Sequence, residues 1–115
     1  MHNFRQLEVW KRSYALALEV FKLVGDLPKE ERFGLRSQIT RSVVSISSNI
    51  AEGSSRGSDK EFGRFLEISI GSAFELETQI QLSVDLSLVE TVRGEQIIKE
   101  VREIQQMIAG LRKRL

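Results

Sequence analysis

The sequence has no cysteine, one histidine and one proline among its 115 residues. Without cysteine it can form neither disulfides nor thiolate metal sites, and this composition favours a cytoplasmic location. The histidine is His2, so the sequence also lacks the Glu-x-x-His pairs that hold two metal ions inside some helical bundles. We therefore expect no metal and no cofactor.

The sequence also lacks a large excess of positive or negative charge, and it lacks long apolar runs. Seventeen Lys and Arg against sixteen Asp and Glu leave a formal net charge of +1, which is not the strongly basic balance of a dedicated nucleic-acid binder. No apolar run approaches the ~20 residues that a membrane span needs, and the first residues do not resemble a signal peptide. We expect no membrane partner.

The residue patterns of common enzymes are missing as well. The sequence has no P-loop, no dinucleotide-binding glycine pattern and no motif that would activate a serine or lysine as a nucleophile. Glu67, Glu75 and Glu77 on the predicted third helix are a candidate carboxylate cluster, and we interpret them as facing solvent or pairing with Arg or Lys. The sequence predicts no enzyme and no catalytic residue.

Apolar residues instead recur every three or four positions in four segments that short turns separate, the pattern of amphipathic helices. The predicted helices cover about residues 7–24, 31–52, 59–87 and 92–114, and together they form a single domain over residues 1–115. Four amphipathic helices with short connections predict an all-α fold, an antiparallel up-down-up-down four-helix bundle.

Two of these helices carry more apolar surface than a bundle needs. In the first helix a row with heptad spacing is read as the seam to the core: Leu7, Trp10, Tyr14, Ala17, Phe21 and Val24. A second row flanks it: Val9, Leu16, Val20 and Leu23. This interpretation places the aromatic residues Trp10, Tyr14 and Phe21 in the core rather than on a ligand-stacking surface.

The third helix also has two apolar rows. One consists of Phe62, Leu66, Ser69, Ala73, Leu76 and Ile80; the other consists of Phe65, Ile68, Ser72, Gln79, Leu82 and Leu86, with Ile70 and Phe74 beyond both. The fourth helix has a single seam: Ile97, Val101, Ile104, Ile108, Leu111 and Leu115. Because a soluble monomer rarely exposes a large apolar patch, the extra rows on the first and third helices are candidate subunit interfaces.

Glycines and serines mark the boundary between the second and third helices. Gly53 follows an apolar row and is predicted to cap the second helix in the left-handed conformation. Ser58 and Glu61 have the spacing of a capping box at the start of the third helix. Gly63 and Gly71 lie inside the third helix, where glycine is unfavourable, and they predict close helix contact at those two points.

The polar residues Asn49, Glu52 and Arg56 beside Gly53 have two interpretations. They satisfy backbone groups where one helix ends and another passes closely, or they form a functional polar site. The structural interpretation is favoured for Asn49, Glu52 and Gly53, because helix ends supply unpaired backbone groups that need partners.

Basic residues concentrate in the first half of the chain and suggest a phosphate-binding surface. In the second helix, Lys29, Arg32 and Arg36 have the spacing of one exposed stripe. The candidate nucleic-acid-binding residues are Arg5, Lys11, Arg12, Lys29, Arg32, Arg36, Arg41 and Arg56. The alternative is that these side chains form ordinary solvated surfaces. An oligomer would repeat each basic patch, so a modest charge per chain could still build a phosphate-binding surface.

Blocks of residues along nearly the whole chain carry a resemblance to one known family. The most distinctive block consists of residues 33–42, 45–46 and Asn49-Ile50-Ala51-Glu52-Gly53, and further matching blocks cover residues 4–11, 14–15, 61–62, 65–66, 71–72 and 75–77. Together these blocks resemble the bacterial 23S rRNA intervening-sequence proteins. The accessory variability determinant of diversity-generating retroelements is a relative of the same fold. Ser69 and the pair Ser47-Ser48 stand where alanine is more common in the family.

The resemblance implies an antiparallel four-helix bundle that assembles as a ring-like homopentamer, and it implies no catalytic residues. It leaves the function poorly defined, although the retroelement relative is thought to bind nucleic acid and a reverse transcriptase through a basic surface. Our leading hypothesis is a non-enzymatic homo-oligomeric scaffold that binds RNA or DNA electrostatically through basic residues of the first two helices. The alternative is an adaptor whose partner is a protein and which binds no nucleic acid.

Overall fold

The computed structural model describes residues 2–31 and 34–115, and within them the chain forms four α-helices and no strand. The helices are α1 (Glu8–Val24), α2 (Leu35–Ser54), α3 (Asp59–Asp85) and α4 (Thr91–Arg114). Short 3₁₀ turns cover Phe4–Gln6 and Lys29–Glu31. The second helix was predicted to begin near residue 31; α2 instead begins at Leu35, after the 3₁₀ turn that follows Pro28.

The four helices form a bundle in which α1 and α3 occupy opposite corners. Helix α1 packs beside α2 and α4, and α3 also packs beside α2 and α4. Within the described residues, the backbones of α1 and α3 do not approach each other. The bundle measures 43 × 24 × 19 Å along its principal axes. Each of α1 and α3 therefore has an outer side that no other helix of the same chain covers.

The core contains the rows that were predicted for α3 and α4. The α3 row from Phe62 to Ile80 is buried, and the α4 seam is buried from Ile97 to Ile108, with Leu111 and Leu115 partly buried at the end. They pack with the buried aliphatic residues of α2: Ile39, Val43, Ile46 and Ile50. Each large aliphatic side chain removed from water contributes roughly 1.5–3 kcal/mol to folding. This core is complete within one chain.

The predicted seam of α1 was wrong at Tyr14 and Phe21, because the other apolar row faces the core, whereas Val24 at the end of the predicted seam is buried. Val9, Leu16, Val20 and Leu23 are buried, whereas Tyr14 and Phe21 are each 50% exposed. Trp10 is partly buried against the edge of the core. Both rows have helical spacing, and periodicity alone does not say which of two neighbouring rows turns inward.

Gly53 has a different role from the one that its position in the sequence predicted. Helix α2 continues through Ser54, and no described glycine has a positive φ, so the left-handed cap is absent from this end. A Cβ at Gly53 would lie 2.6 Å from Cβ of Phe65 and 3.0 Å from Cδ1 of Phe62. Glycine is required here because α3 passes too close to α2 for any side chain.

The other two glycine predictions were also wrong within the chain. Apart from the neighbouring backbone of α3 itself, a Cβ at Gly63 or at Gly71 would have no described atom within 4 Å, so neither glycine marks a close contact between helices of the bundle. The predicted start of α3 is correct, since the Ser58 hydroxyl accepts a hydrogen bond from the Glu61 backbone N–H at 3.2 Å.

Candidate nucleic-acid interface and exposed apolar faces

Arg12, one of the predicted phosphate-binding residues, is engaged inside the chain. Its Nε lies 2.9 Å from Oε1 of Glu100, and its Nη2 lies 3.4 Å from Oε1 of Glu103, both on α4. The hydrogen bond that Arg12 donates to Glu100 raises the pKa of Arg12 above its ordinary value. Two carboxylates thus already neutralise this charge, and Arg12 ties α1 to α4.

Lys11 and Arg56 also have carboxylate neighbours. Nζ of Lys11 lies 3.3 Å from Oε1 of Glu8, one turn earlier in α1. Nη2 of Arg56 lies 3.0 Å from Oε1 of Glu52, and its guanidinium lies 4.7 Å from the centre of the Phe65 ring. The Arg56 contacts join the end of α2 to the start of α3.

The structure pairs no carboxylate with the other predicted basic residues that it describes. Arg5 lies over aromatic rings, 5.4 Å from the centre of Phe4 and 5.7 Å from that of Trp10. Lys29 is exposed in the 3₁₀ turn, apart from α2, so the predicted helical stripe that it would share with Arg36 is not formed. Arg32, the third member of that stripe, lies outside the described residues.

Arg36 and Arg41 are both on α2 but do not share a face. Five residues of helix separate them by about 140° around the axis, at 3.6 residues per turn. Arg36 is partly buried, and Arg41 is exposed at the edge of a cleft between α2 and α3. The candidate basic residues are therefore distributed around the chain rather than gathered into one patch.

A polar seam joins α2 to α3 at the distinctive block. The Asn49 side chain donates to the carbonyl oxygen of Ser45 at 2.8 Å and to its hydroxyl at 2.9 Å. The Ser45 hydroxyl in turn lies 2.7 Å from that of Ser72, and the Ser69 hydroxyl donates to the carbonyl oxygen of Ile46 at 2.8 Å. These contacts support the structural interpretation of Asn49, as the close approach at Gly53 does for Gly53.

A cleft of about 260 Å³ opens beside this seam, and sequence reasoning missed it. Its lining is mostly polar: Gln38, Arg41, Ser42, Ser45, Ser72, Glu75 and Gln79. Oε1 of Gln79 is buried there without a hydrogen-bond partner. No pattern within one helix predicts this cleft, because residues of both α2 and α3 line it.

The carboxylates of α3 behave as the sequence interpretation expected. Glu77 accepts hydrogen bonds from Gln105 at 2.9 Å and from Arg102 at 3.0 Å, and these lower its pKa, with the hydrogen bond from Gln105 the largest single cause. Glu67 pairs with Arg112, and Glu75 is exposed. No group of three potential metal ligands occurs among the residues that the structure describes.

Two outer faces are apolar. The α1 face consists of Tyr14, Leu18 and Phe21, and sequence reasoning had not included Leu18 in either row. The α3 face consists of Ile68, Phe74, Leu82 and Leu86, with Gly71 and Thr78 between them. Val44 on α2 is also exposed, but it belongs to neither face. The seven large apolar side chains of the two faces are thus about half exposed, at two opposite corners of the bundle.

These features define an all-helical protein of four helices with a complete core, a polar seam between α2 and α3, and apolar outer faces on α1 and α3. None of the described helices combines the length and apolarity that crossing a bilayer demands. The family model described as 23S rRNA-intervening sequence protein matches residues 5–110. The chain belongs to this family.

One solved structure supports the same fold. It is the crystal structure of a protein of unknown function from the S23 ribosomal protein family of Bacteroides thetaiotaomicron. The two proteins are 26% identical, with a TM-score of 0.82, and the match covers 91% of this chain and 98% of the other. No curated protein matches the chain.

Proposed function

We propose that the chain is the subunit of a non-enzymatic, homo-oligomeric helical scaffold, a ring-like homopentamer of antiparallel up-down-up-down bundles. The observation that carries this proposal is the pair of apolar faces on α1 and α3, at opposite corners of a bundle whose core is already complete. Soluble monomers rarely expose contiguous apolar patches of this kind, and each half-exposed side chain gains free energy when a neighbouring subunit covers it.

Contacts between helices support the antiparallel order. Gly53 near the end of α2 lies against Phe62 near the start of α3, while Ser45 earlier in α2 contacts Ser72 later in α3. On the other side, Glu67 early in α3 pairs with Arg112 late in α4, and Glu77 pairs with Arg102. Short connections between consecutive helices suit this order.

We further propose nucleic acid as the ligand of the scaffold, bound through basic residues of α2 and of the 3₁₀ turns that precede α1 and α2. Arg5, Lys29, Arg36 and Arg41 support this, since no described carboxylate pairs with them. A ring would repeat these four basic residues in every subunit, and repeated cations raise the affinity for phosphates steeply.

A protein-interaction adaptor without nucleic-acid binding is the second candidate. The observation that favours it is the pairing of Arg12 with Glu100 and of Arg56 with Glu52, which removes two cations from the predicted phosphate-binding set. Its binding would depend little on salt and would show a negative heat-capacity change from burial of apolar surface.

Light scattering of the purified protein tests both the homo-oligomeric scaffold and its binding of nucleic acid. The proposal expects five subunits, a larger mass with a structured RNA or a DNA duplex at low salt, and release of the nucleic acid as salt rises. A pentamer that ignores nucleic acid at low and physiological salt would favour the adaptor. A monomer at micromolar concentration would overturn the scaffold itself.

A further inference from the structure

The apolar faces of α1 and α3 differ in shape and in charge, and these differences bear on how subunits pair. We infer that the α1 face of one subunit packs on the α3 face of the next, so that every subunit uses both faces in a head-to-tail contact. The inference rests on the proposed homo-oligomer and names the surfaces that build it. A contact between two different surfaces generates a closed ring when its rotation closes, whereas a contact of one surface with itself stops at a dimer.

The positions of the two faces permit this arrangement. Helices α1 and α3 lie at opposite corners of the bundle, and their backbones do not approach each other within the described residues. The α1 face is centred away from the buried row that contains Val20, and the α3 face lies opposite the buried row that contains Ala73. A subunit can therefore hold one neighbour at α1 and another at α3 at the same time.

The shapes of the two faces are complementary. On α1, the large side chains Tyr14 and Phe21 are seven residues apart and project on nearly the same line. On α3, Gly71 and Thr78 are also seven residues apart and both exposed, with no described atom within 4 Å of a Cβ at Gly71. Large residues seven apart on one helix fill the spaces around small residues seven apart on another.

Gly71 acquires a physical reason in this contact. The sequence predicted close helix contact at this glycine, and no helix of the same chain supplies it. The four exposed residues that surround one space on α3 are Gly71, Phe74, Glu75 and Thr78, and the next space contains Thr78, Gln81, Leu82 and Asp85. Tyr14 and Phe21 of a neighbouring subunit match these two consecutive spaces.

The charges that border the faces are opposite in sign. Lys11 and Lys22 lie beside Leu18 on α1, and their only described carboxylate neighbours are the exposed Glu8 and Glu19 of the same helix. Glu75 on α3 is exposed, and Asp85 accepts a hydrogen bond only from the neutral Gln81 at 3.1 Å. Pairing α1 with α1 would oppose lysines, and pairing α3 with α3 would oppose carboxylates, so each self-contact is disfavoured.

The spacing of these charges also matches. Lys11 and Lys22 are eleven residues apart along α1, and Glu75 and Asp85 are ten residues apart along α3. At 1.5 Å per residue these separations are about 16 Å and about 15 Å. Both lysines can therefore meet both carboxylates in a single helix-to-helix contact.

The absence of cysteine makes disulfide trapping a direct test. Leu18→Cys and Thr78→Cys lie midway along the two faces, so their contact does not depend on the relative direction of the helices. After co-assembly and mild oxidation, a mixture of the two single variants should yield a covalent dimer. The double variant should yield covalent species up to the full subunit number. Each bridge needs a Cα separation of about 4.4–6.8 Å.

The outcomes separate the inference from the proposed function. Leu18→Cys mixed with Lys99→Cys, an exposed position on α4, is the matched control and should give no covalent dimer. An intact oligomer without the Leu18–Thr78 bridge would overturn the α1-to-α3 contact and leave the scaffold standing. A dimer from Leu18→Cys alone would overturn the contact in favour of a symmetric one. A wild-type monomer would overturn the scaffold.

A charge exchange tests the same contact without cysteine. Lys11→Glu with Lys22→Glu should dissociate the oligomer into smaller species, because it opposes carboxylates on both faces. Adding Glu75→Lys and Asp85→Lys to the same chain should restore the original mass. Failure of this restoration, with both proteins folded by circular dichroism, would contradict the inferred pairing.

Discussion

Gly53 of α2 faces Phe65 of α3 so closely that a Cβ on the glycine would lie 2.6 Å from the Cβ of the phenylalanine. Both atoms belong to rigid helices, so relief requires movement of a backbone rather than rotation of a side chain. Gly53→Ala is therefore expected to lower the free energy of unfolding by about 1–3 kcal/mol, the usual cost of overpacking. Urea denaturation measures it.

Gly63→Ala is the matched control for Gly53→Ala. Gly63 also lies within a helix, but a Cβ there would meet no described atom within 4 Å. Alanine in place of a helical glycine should raise the free energy of unfolding by about 0.5–1 kcal/mol. Equal changes of the same sign in the two variants would contradict the close approach of α2 and α3 as the reason for Gly53.

Glu77 should contribute to stability only above its lowered pKa. Hydrogen bonds from Gln105 and Arg102 depress the pKa below the ordinary value of 4.5, so the folded protein holds this proton less tightly than the unfolded chain. The contribution is thus fully present above pH 4.5 and is lost as the pH falls through the folded-state pKa. The stability difference between wild type and Glu77→Gln should shrink on acidification, as measured by thermal unfolding from pH 7 to pH 3.

Arg102→Gln and Gln105→Leu each remove one partner of Glu77. The hydrogen bond from Gln105 is the largest single cause of the lowered pKa, and Arg102 adds a second hydrogen bond and its positive charge. Each variant should therefore reduce the acid dependence of stability, and neither should abolish it. Loss of the whole acid dependence in Arg102→Gln would assign the effect to the ion pair rather than to the neutral hydrogen bond.

The apolar faces should control assembly and not folding. Phe21→Ser and Phe74→Ser each replace a half-exposed side chain outside the core, so the monomer should keep its helical content while the oligomer dissociates. Val92→Ser is the control, because Val92 is equally exposed but lies on α4, outside both faces. Sedimentation velocity at micromolar concentration gives the mass of each. An unchanged mass for both phenylalanine variants would contradict a role of these faces in assembly.

Particular residues show how far the sequence determined this fold. The buried rows of α3 and α4 were predictable because their apolar residues follow strict helical spacing. The start of α3 at Ser58 was predictable because the cap of a helix is formed by residues close together in the sequence. The inward row of α1 was not, since Tyr14 and Leu16 both belong to apolar rows and only packing against α2 and α4 selects between them. Gly53 was misread for the same reason: the neighbour that requires it, Phe65, is distant along the chain.

The candidate sites were less predictable than the helices. Arg12 looked like a phosphate ligand because its partners Glu100 and Glu103 are about ninety residues away in sequence. Arg41 and Gln79 line the same cleft but belong to two different helices, so no pattern within one segment of the sequence predicts the cleft. Charge pairing between helices depends on their relative rotation, which spacing within one helix does not specify.

Basic residues without a described carboxylate partner should contribute more to nucleic-acid binding than those with one. Arg41→Gln removes an exposed cation, so it should weaken binding to RNA or DNA at low salt. If Arg41 contacts one phosphate, the slope of log affinity against log salt should decrease by about 1. Fluorescence anisotropy over a range of salt concentrations measures both quantities.

Arg12→Gln completes this test, since it removes the same formal charge from a residue that Glu100 and Glu103 already neutralise. It should leave the salt slope nearly unchanged and instead lower thermal stability, because two carboxylates on α4 lose their partner. Equal effects of Arg41→Gln and Arg12→Gln on affinity would mean that only the total charge matters. The absence of binding by wild type at low salt would favour the protein adaptor, whose apolar partner surface is insensitive to either substitution.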